Sequence, residues 1–143
     1  MDNILLRDTE ILELIPQRKP IVMVDKFGDF SEDGASTALT IKEDNIFLQG
    51  GSLQEPGLIE HIAQSAAAFA GYATYQKNLP PKLGYIGEIR RCHISTLPLL
   101  GQELNTELKI QAQVAGVTLL SATTSVNEQT VVECQMKIFL KDD

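Results

Sequence analysis

One carboxylate, Glu60, interrupts the most apolar stretch of the chain, residues 56–76. Burying an ionised group is costly unless it is paired, borders a cavity or lies near a helix N-terminus, where the helix dipole favours negative charge. A carboxyl group in such a place can give or take a proton during a reaction. The alternative is a solvated glutamate at a frayed helix start, so the residue type alone does not define a site.

Small residues lie next to this glutamate. Gly50 and Gly51 precede the apolar stretch, and Pro56 and Gly57 begin it. Exposed backbone N–H groups at a helix start can bind an anion or polarise a carbonyl oxygen. Many helices begin with such residues, so this pattern by itself is not specific.

The stretch that carries Glu60 is expected to be one long helix over residues 56–76. Pro56 suits the first helical position, and Pro80 and Pro81 end any continuation. A helix that is apolar on all sides is either buried or spans a membrane. Several polar residues argue against the membrane: Glu60, His61, Gln64, Ser65 and Gln76. We therefore expect a core helix whose many alanines approach a neighbouring backbone closely.

The segments before this helix predict three elements. Residues 8–15 are expected to form a short helix with Asp8 as its N-cap and Pro16 at its end. The continuous apolar run 21–24 is typical of a strand covered on both faces. Alternation over residues 35–42 predicts a second strand, with the turn between the two strands at Asp33 and Gly34.

The second half of the chain is predicted to form β-strands. We expect them over residues 83–94, 103–114, 117–126 and 131–140, the last three joined by turns at 115–116 and 127–129 into an antiparallel meander. In the second of these strands one face is apolar: Leu104, Leu108, Ile110, Ala112 and Val114. The predicted fold class is α+β, with one long helix wrapped by a curved, mostly antiparallel sheet, and a second copy would complete the helix's burial.

Chain length and net charge narrow the class of protein. A chain of 143 residues fits one domain, residues 1–143, that needs no metal or disulfide to fold. The net charge of −7 argues against nucleic acid and against an anionic membrane surface as partners. The apolar N-terminal pair Ile4 and Leu5 is followed by charges, so no signal peptide is expected, and a reduced cytoplasmic protein is the natural interpretation.

Four segments resemble the 3-hydroxyacyl-acyl-carrier-protein dehydratases. Residues 14–25, LIPQRKPIVMVD, resemble the family's LPHRxPxLxVD opening, and residues 56–64, PGLIEHIAQ, resemble its PGxxxxExxAQ helix, shortened before the glutamate. Residues 45–50 lie in the expected place between them. Residues 83–91, LGYIGEIRR, resemble the GFLLGTRRY strand of a dehydratase-like branch from aryl-polyene clusters. The resemblance covers nearly the whole chain.

This resemblance implies the hotdog fold, at least a dimer, and an acyl chain in a tunnel beside the helix. In the family a histidine of the first motif removes the α-proton, and an acidic helix residue helps the hydroxyl leave as water. Here Glu60 matches the acidic residue, and Gly57 matches the glycine whose N–H polarises the thioester carbonyl. Ile59 and Gln64 are implied substrate contacts, and no cofactor is implied.

The histidine position is occupied by Gln17. An amide is not basic near pH 7, so it cannot accept the proton. Gln17 can still hold a hydroxyl or a carbonyl group by a hydrogen bond. The usual dehydratase mechanism is therefore incomplete in this chain.

Other residues could replace that base. His61 lies about 100° around the helix from Glu60, so both cannot point at one spot. We expect His61 to be a polar partner at the dimer or tunnel edge, in contact with substrate, with a replacement base as the alternative. His93 is expected to be a surface or pairing residue. These histidines and the cysteines Cys92 and Cys134 lack metal-site spacing, so no metal is predicted.

The basic residues form two pairs in this acidic chain: Arg18 with Lys19, and Arg90 with Arg91. Since acyl carrier proteins are acidic, the pairs suggest a docking patch, with scattered solubilising charges as the alternative. Four functions remain open: a dehydratase of acyl-carrier thioesters in fatty acid or polyene biosynthesis, a non-catalytic partner subunit of a heteromeric dehydratase, a hotdog acyl thioesterase, and a binding module without acyl specificity.

Overall fold

The computed structural model describes residues 1–80 and 84–140. The elements, in chain order, are β1 (Ile4–Arg7), a 3-10 helix (Asp8–Glu13), β2 (Lys26–Ser31), β3 (Gly34–Thr40), β4 (Leu48–Gln49), β5 (Ser52–Leu53), α1 (Glu55–Gln76), β6 (Gly84–Ile94), β7 (Glu103–Val114), β8 (Val117–Val126) and β9 (Gln129–Leu140).

Seven strands form one antiparallel sheet in the order β1-β2-β3-β7-β8-β9-β6, and β4 pairs with β5 in a separate hairpin. Helix α1 packs on one face of the large sheet, where Leu58, Ile62 and Ala66 join the main core. This arrangement confirms the predicted α+β class with one long helix and an antiparallel sheet. The order leaves β1 and β6 as the two edges of the sheet.

The meander β7-β8-β9 forms as the sequence predicts, except that β9 begins at Gln129, two residues earlier than expected. Ala115 and Gly116 have φ values of 51° and 81°, and Asn127 and Glu128 have values of 50° and 68°. Positive φ at both central residues is the feature of the type I′ turns that join adjacent antiparallel strands. Local turn chemistry therefore sets the register of these three strands.

The strand predicted at residues 21–24 is wrong. This segment is irregular, and β2 begins only at Lys26. Its backbone bonds instead to a helix side chain: the Met23 N–H donates to Gln64, and Gln64 donates to the Ile21 carbonyl. The predicted burial of this segment is found for Met23 and Val24, whereas Ile21 is exposed.

Smaller differences concern element ends. The N-cap of the 3-10 helix is Arg7 rather than Asp8, and Asp8 has a φ of 52° in the left-handed region. Helix α1 begins at Glu55, one residue earlier than predicted. Two residues used in the predictions lie outside the described residues: Pro81, expected to end any continuation of the helix, and Leu83, the first residue of the strand expected over 83–94. No helix of the described residues is long and apolar enough to span a membrane.

The apolar face predicted for β7 holds only over its first half. Leu104 and Leu108 are buried, Ile110 is half-buried, and Ala112 is exposed, as is Val114, at 71%. The pairing of β7 with β8 shifts register between Ile110 and Ala112. A bulge of this kind bends the strand and changes the face that its later residues present.

A close approach between α1 and the N-terminal segment depends on Gly71. A Cβ atom at this position would collide with the carbonyl oxygen of Leu14. Leu14 is fully buried in the second core cluster, together with Ile11 and Phe27. The helix therefore needs the smallest side chain where this segment crosses it.

We expect Gly71→Ala to lower the free energy of unfolding by about 1–3 kcal/mol, because overpacking a rigid contact forces the backbone to move. Urea unfolding followed by circular dichroism measures the change. In an open helix the same substitution stabilises by about 1 kcal/mol. A more stable variant would therefore contradict the close approach. Ala73→Gly, at an exposed position of the same helix, controls for propensity alone.

Candidate functional site

A cavity of about 730 Å³ opens between the start of α1 and strand β6. Its helix side carries two carboxylates, Glu55 and Glu60, and its strand side is largely apolar. The lining consists of Glu55, Pro56, Ile59, Glu60, Ile89, Cys92, His93 and Ile94. A volume of this size is within the range of small-molecule sites. Glu60 is half-buried on the helix side of this cavity. Ile59, which the resemblance implies as a substrate contact, lies beside Glu60 in the lining.

The orientation of Glu60 is set by Gln64. Gln64 is fully buried, and its Nε2 donates to Glu60 Oε2 at 2.7 Å and to the Ile21 carbonyl at 2.7 Å. Its Oε1 accepts the N–H of Met23 at 2.6 Å. All of these partners belong to the protein, so Gln64 positions the carboxylate and the segment 21–23 and does not face a ligand itself.

His61 lies inside the core and does not reach the cavity. It is fully buried, and its Nδ1 lies 2.7 Å from the Met23 carbonyl oxygen. Since a carbonyl only accepts, Nδ1 carries the proton and Nε2 accepts the hydroxyl of Thr106 at 2.8 Å. Burial lowers the pKa of His61 to about 4. The expectations of a substrate contact and of a replacement base therefore do not fit this neutral, enclosed imidazole.

Gly57 has a packing role that the sequence did not reveal. Its N–H donates to the Gln54 carbonyl at 2.9 Å, so the expected polarisation of a thioester carbonyl by this N–H does not fit the structure. A Cβ atom here would lie 2.6 Å from Cβ of Phe47. Gly50 and Gly51, the other proposed anion site, form the turn between β4 and β5.

Gln17 is not on the wall that carries Glu60. It is half-buried, and its buried Oε1 has no hydrogen-bond partner among the described residues. The neighbouring Arg18 holds the same loop, because its Nη1 donates to the carbonyls of Ile15 and Gln17 at 2.8 Å each. Within one chain, the two residues that the sequence motifs predict to act together are therefore not brought to one cavity.

His93 and Cys92 both lie at the cavity, but on different faces of the sheet. His93 pairs with Glu133, which is exposed between the buried Val132 and Cys134. Paired residues share a face, so this register places His93 on the outer face. The Cys92 thiol instead contacts Cys134, and burial raises the pKa of both thiols, that of Cys134 to about 12. Neither thiol is a thiolate nucleophile near pH 7.

The second basic pair borders the cavity. Arg90 and Arg91 lie in β6 between the lining residues Ile89 and Cys92. Arg90 Nε lies 3.8 Å from Glu88 Oε1, whereas Arg91 is exposed, as is Lys19 of the other pair.

Sequence reasoning missed Glu55, Ile89 and Cys92 as lining residues of one cavity. The register of β6 shifts between Arg90 and His93, and this shift turns Cys92 inward. No pattern in the sequence marks such a bulge. In residues 1–80 and 84–140, no group of three His, Cys, Asp or Glu residues could hold a metal ion.

A long helix enclosed by one antiparallel sheet, with a carboxylate at a cavity beside the helix start, defines a hotdog-fold protein. Two solved structures share this fold. The dehydratase heterocomplex ApeI:P from Xenorhabdus doucetiae aligns with a TM-score of 0.85 at 16% identity, covering 93% of this chain and 91% of that one. A hypothetical thioesterase from Streptococcus pneumoniae with coenzyme A aligns with a TM-score of 0.65 at 8% identity, covering 82% and 85%. Likeness at these identities establishes the fold alone.

The family follows from sequence. Residues 9–143 match the ApeP-like family, described as ApeP dehydratase, and the chain belongs to this family. The 3-hydroxyacyl-[acyl-carrier-protein] dehydratase FabZ of Proteus mirabilis is 28% identical over 141 residues, covering 94% of this chain and 93% of the relative. FabZ of Cronobacter sakazakii is 29% identical over 133 residues, covering 89% and 87%. The resemblance to the dehydratase family is thereby confirmed.

The buried His61 predicts a dependence of stability on acid. Its pKa is 6.5 when exposed and about 4 in the folded protein, so the unfolded chain takes up the proton first as the pH falls. The stabilisation that depends on neutral His61 is therefore fully present above pH 6.5, and it is lost as the pH falls to about 4. The loss amounts to about 3 kcal/mol. Urea unfolding at a series of pH values measures it.

His61→Gln is the matched variant, because it keeps a polar side chain and removes the titration. We expect the variant to be less stable near neutral pH and to lack the part of the acid-dependent loss that His61 causes. Identical slopes for both proteins between pH 6.5 and 4 would show that His61 is not neutral and enclosed.

Proposed function

We propose that this chain is a dehydratase subunit that binds 3-hydroxyacyl or 2-enoyl thioesters of an acyl carrier protein and contributes Glu60 to a site shared with a second subunit. We assign it to fatty acid or polyene biosynthesis in the cytoplasm. The observation that carries the proposal is the position of Glu60, half-buried on the wall of a cavity of about 730 Å³ and oriented by the buried Gln64.

The geometry of this carboxyl group suits an acid in the reaction. Gln64 occupies Oε2 of Glu60 by donating to it, which leaves Oε1 to carry a proton towards the substrate hydroxyl. A positioned acid of this kind contributes about a hundred- to ten-thousand-fold to a rate. Holding the carboxyl group before the substrate arrives also avoids the cost of ordering it during the reaction.

The reaction also needs a base, and the cavity of one chain offers none of the expected kind. Gln17 has replaced the family histidine, and His61 is enclosed in the core. His93 borders the cavity, but its pairing with Glu133 directs its side chain to the outer face of the sheet. We therefore assign the base to the partner subunit. The base removes a proton from carbon 2, the electrons of that bond form the carbon 2–carbon 3 double bond, and the bond from carbon 3 to oxygen breaks. The oxygen takes the proton of Glu60 and leaves as water, and the base later returns its proton to Glu60.

Strand β6 supports a place for the partner. This strand is 11 residues long and is an edge of the sheet, so its outer backbone groups are a template for pairing with another strand. Tyr85 is 53% exposed and pairs with the exposed Phe139, which forms an apolar surface on the outer face. Because β6 also supplies one wall of the cavity, a subunit bound at this edge would close the site.

A related but different subunit suits this site better than a second copy. A second copy would bring another Gln17 and no histidine at that position of the motif. The similar ApeI:P structure is named a dehydratase heterocomplex, which supports a heteromeric arrangement. In such a pair, a histidine-bearing subunit supplies the base and this chain supplies Glu60.

The acyl carrier protein would approach the cavity from the side of Arg90 and Arg91. These residues lie between two lining residues of β6, and carrier proteins are acidic, so opposite charges would steer the encounter. Lys19 is exposed and available for the same role, whereas Arg18 is engaged with its own loop. Arg18 is thus the member of the proposed docking set whose main role is structural.

We expect this chain alone to leave a 3-hydroxyacyl carrier protein unchanged and to support loss of water when a histidine-bearing dehydratase subunit is added. Glu60→Gln should lower that turnover about a hundred- to ten-thousand-fold, because the amide cannot donate the proton. Mass spectrometry of the carrier-bound product measures the loss of water. Glu133→Gln, on the outer face of β9, removes the same charge and should leave turnover unchanged.

Three results would contradict this assignment. Turnover by the wild-type chain alone would place the base in this protein. Unchanged turnover by Glu60→Gln in the mixed sample would remove its role as the acid. Release of the free carboxylic acid, rather than loss of water, would assign the site to a thioesterase. Gln17→His tests the homodimer separately, since turnover gained by this variant alone would mean that two copies can form the site.

The β6 edge predicts how the subunits associate. Tyr85→Lys places a charge within the apolar surface of β6 and β9, and we expect it to weaken association at least tenfold. Analytical ultracentrifugation measures this, with or without the partner subunit. Val114→Lys introduces the same charge at a residue that is 71% exposed at the end of β7 and serves as the control. Equal effects of both variants would show that β6 is not the interface.

A further inference from the structure

His61 is a buried titratable residue that the proposed reaction does not use. It follows Glu60 directly on α1, and it is fully buried. Both of its ring nitrogens have protein partners: Nδ1 lies 2.7 Å from the Met23 carbonyl oxygen, and Nε2 lies 2.8 Å from the Thr106 hydroxyl oxygen. An imidazole that does not reach the substrate can still act on the site through the groups that it holds in place.

The hydrogen bonds on the sheet side of His61 have a fixed direction. The Met23 carbonyl can only accept, so Nδ1 carries the imidazole proton and Nε2 accepts from Thr106. The Thr106 hydroxyl has one hydrogen, and its oxygen lies 2.6 Å from the hydroxyl oxygen of Thr124. Thr124 therefore donates to Thr106, and Thr106 donates to His61. Both threonines are buried.

The hydrogen bonds of Gln64 have a fixed direction as well. The Met23 N–H can only donate, so it meets Oε1 of Gln64, and the Ile21 carbonyl can only accept, so it meets Nε2. The side-chain amide therefore cannot be reversed. Its Nε2 donates the second hydrogen to Glu60 Oε2 at 2.7 Å.

The two sets of bonds meet at the backbone of Met23. Its carbonyl accepts from His61 and its N–H donates to Gln64, so two side chains from one face of α1 hold this residue. All bonds of the chain are aligned, with each residue donating to the next: Thr124, Thr106, His61, Met23, Gln64 and Glu60. Aligned hydrogen bonds in a low-dielectric interior polarise and strengthen one another.

We propose that His61 is a positioning residue for the acid of the reaction. By donating to the Met23 carbonyl it fixes the backbone to which Gln64 bonds, and Gln64 in turn holds the Glu60 carboxylate in one orientation. His61 itself contacts neither substrate nor reacting atoms. This inference rests on the proposed function, because it takes Glu60 to be the acid.

The test compares His61→Leu with His61→Asn in the mixed sample of this chain and a histidine-bearing dehydratase subunit. The amide nitrogen of asparagine is as many bonds from Cα as Nδ1 of histidine, so it can donate to the Met23 carbonyl, whereas leucine cannot. His61→Leu should lower kcat about ten- to a hundredfold with KM unchanged, because a misplacement of about 1 Å can cost about a hundredfold. His61→Asn should retain most of the turnover. Mass spectrometry of the carrier-bound product at a series of substrate concentrations measures both constants.

A double-mutant cycle with Glu60→Gln separates positioning from a general loss of structure. If His61 acts through Glu60, adding His61→Leu should not lower the residual turnover of the Glu60→Gln protein any further. A disturbed fold would instead lower turnover by the same factor in both backgrounds. Ser65→Ala is the control for lost buried hydrogen bonds on α1, because Ser65 bonds to Thr37 and to the His61 carbonyl, outside the aligned chain. It should leave kcat unchanged.

Thr106→Val keeps the shape of the side chain and removes the hydroxyl that donates to His61. It should lower kcat by a smaller factor than His61→Leu, and it serves if His61→Leu does not fold. Nitrogen-15 NMR of the His61 ring near pH 7 should show a neutral imidazole protonated at Nδ1, which tests the direction of the chain without any substrate.

The proposal would be overturned by a charged or Nε2-protonated His61 near pH 7, or by unchanged kcat in both the His61→Leu and Thr106→Val proteins. Turnover of His61→Asn as low as that of His61→Leu, or an equal effect of His61→Leu in the wild-type and Glu60→Gln backgrounds, would also overturn it. Failure of the proposed function looks different, because then the wild-type mixed sample would not release water or Glu60→Gln would keep full turnover.

Discussion

The site depends on one buried amide. Gln64 makes three hydrogen bonds, to the Met23 N–H, the Ile21 carbonyl and the Glu60 carboxylate, and is fully enclosed by protein. A buried amide left unpaired costs about 1–3 kcal/mol, so these partners are held together as a set. The bonds join two parts of the fold that are distant in sequence, helix α1 and the segment before β2, and they orient the carboxylate of the cavity. His61, one helix turn before Gln64, forms a further hydrogen bond to the same segment, at the Met23 carbonyl.

The same constraint marks the limit of prediction from sequence. The long helix and the meander of β7, β8 and β9 could be predicted, because composition, alternation and type I′ turns are local signals. The strand at residues 21–24 could not be excluded, since its backbone partners are on a helix some 40 residues later in the chain. The bulge in β7 was equally hidden, because nothing in an alternating sequence shows where the partner strand shifts register.

The candidate site shows a similar division. Glu60 could be found from its residue type within an apolar helix, and the structure puts it on a cavity wall. Neither the absence of Gln17 from that wall nor the enclosure of His61 could be known, because both depend on how distant segments pack. Gly57 shows how a motif residue can mislead: its N–H bonds to Gln54, and its lack of a side chain makes room for Phe47.

The position of the cavity at a sheet edge has a consequence for how this chain functions. Helix α1 supplies a wall that packing and buried hydrogen bonds make rigid, whereas β6 supplies a wall that is paired on only one side, with β9. A second subunit that adds a strand to β6 would therefore stabilise the edge side of the site and bring new side chains to it in the same step. Chemistry would then require association, and a chain with Gln17 at the histidine position of its motif could still contribute Glu60 to the shared site.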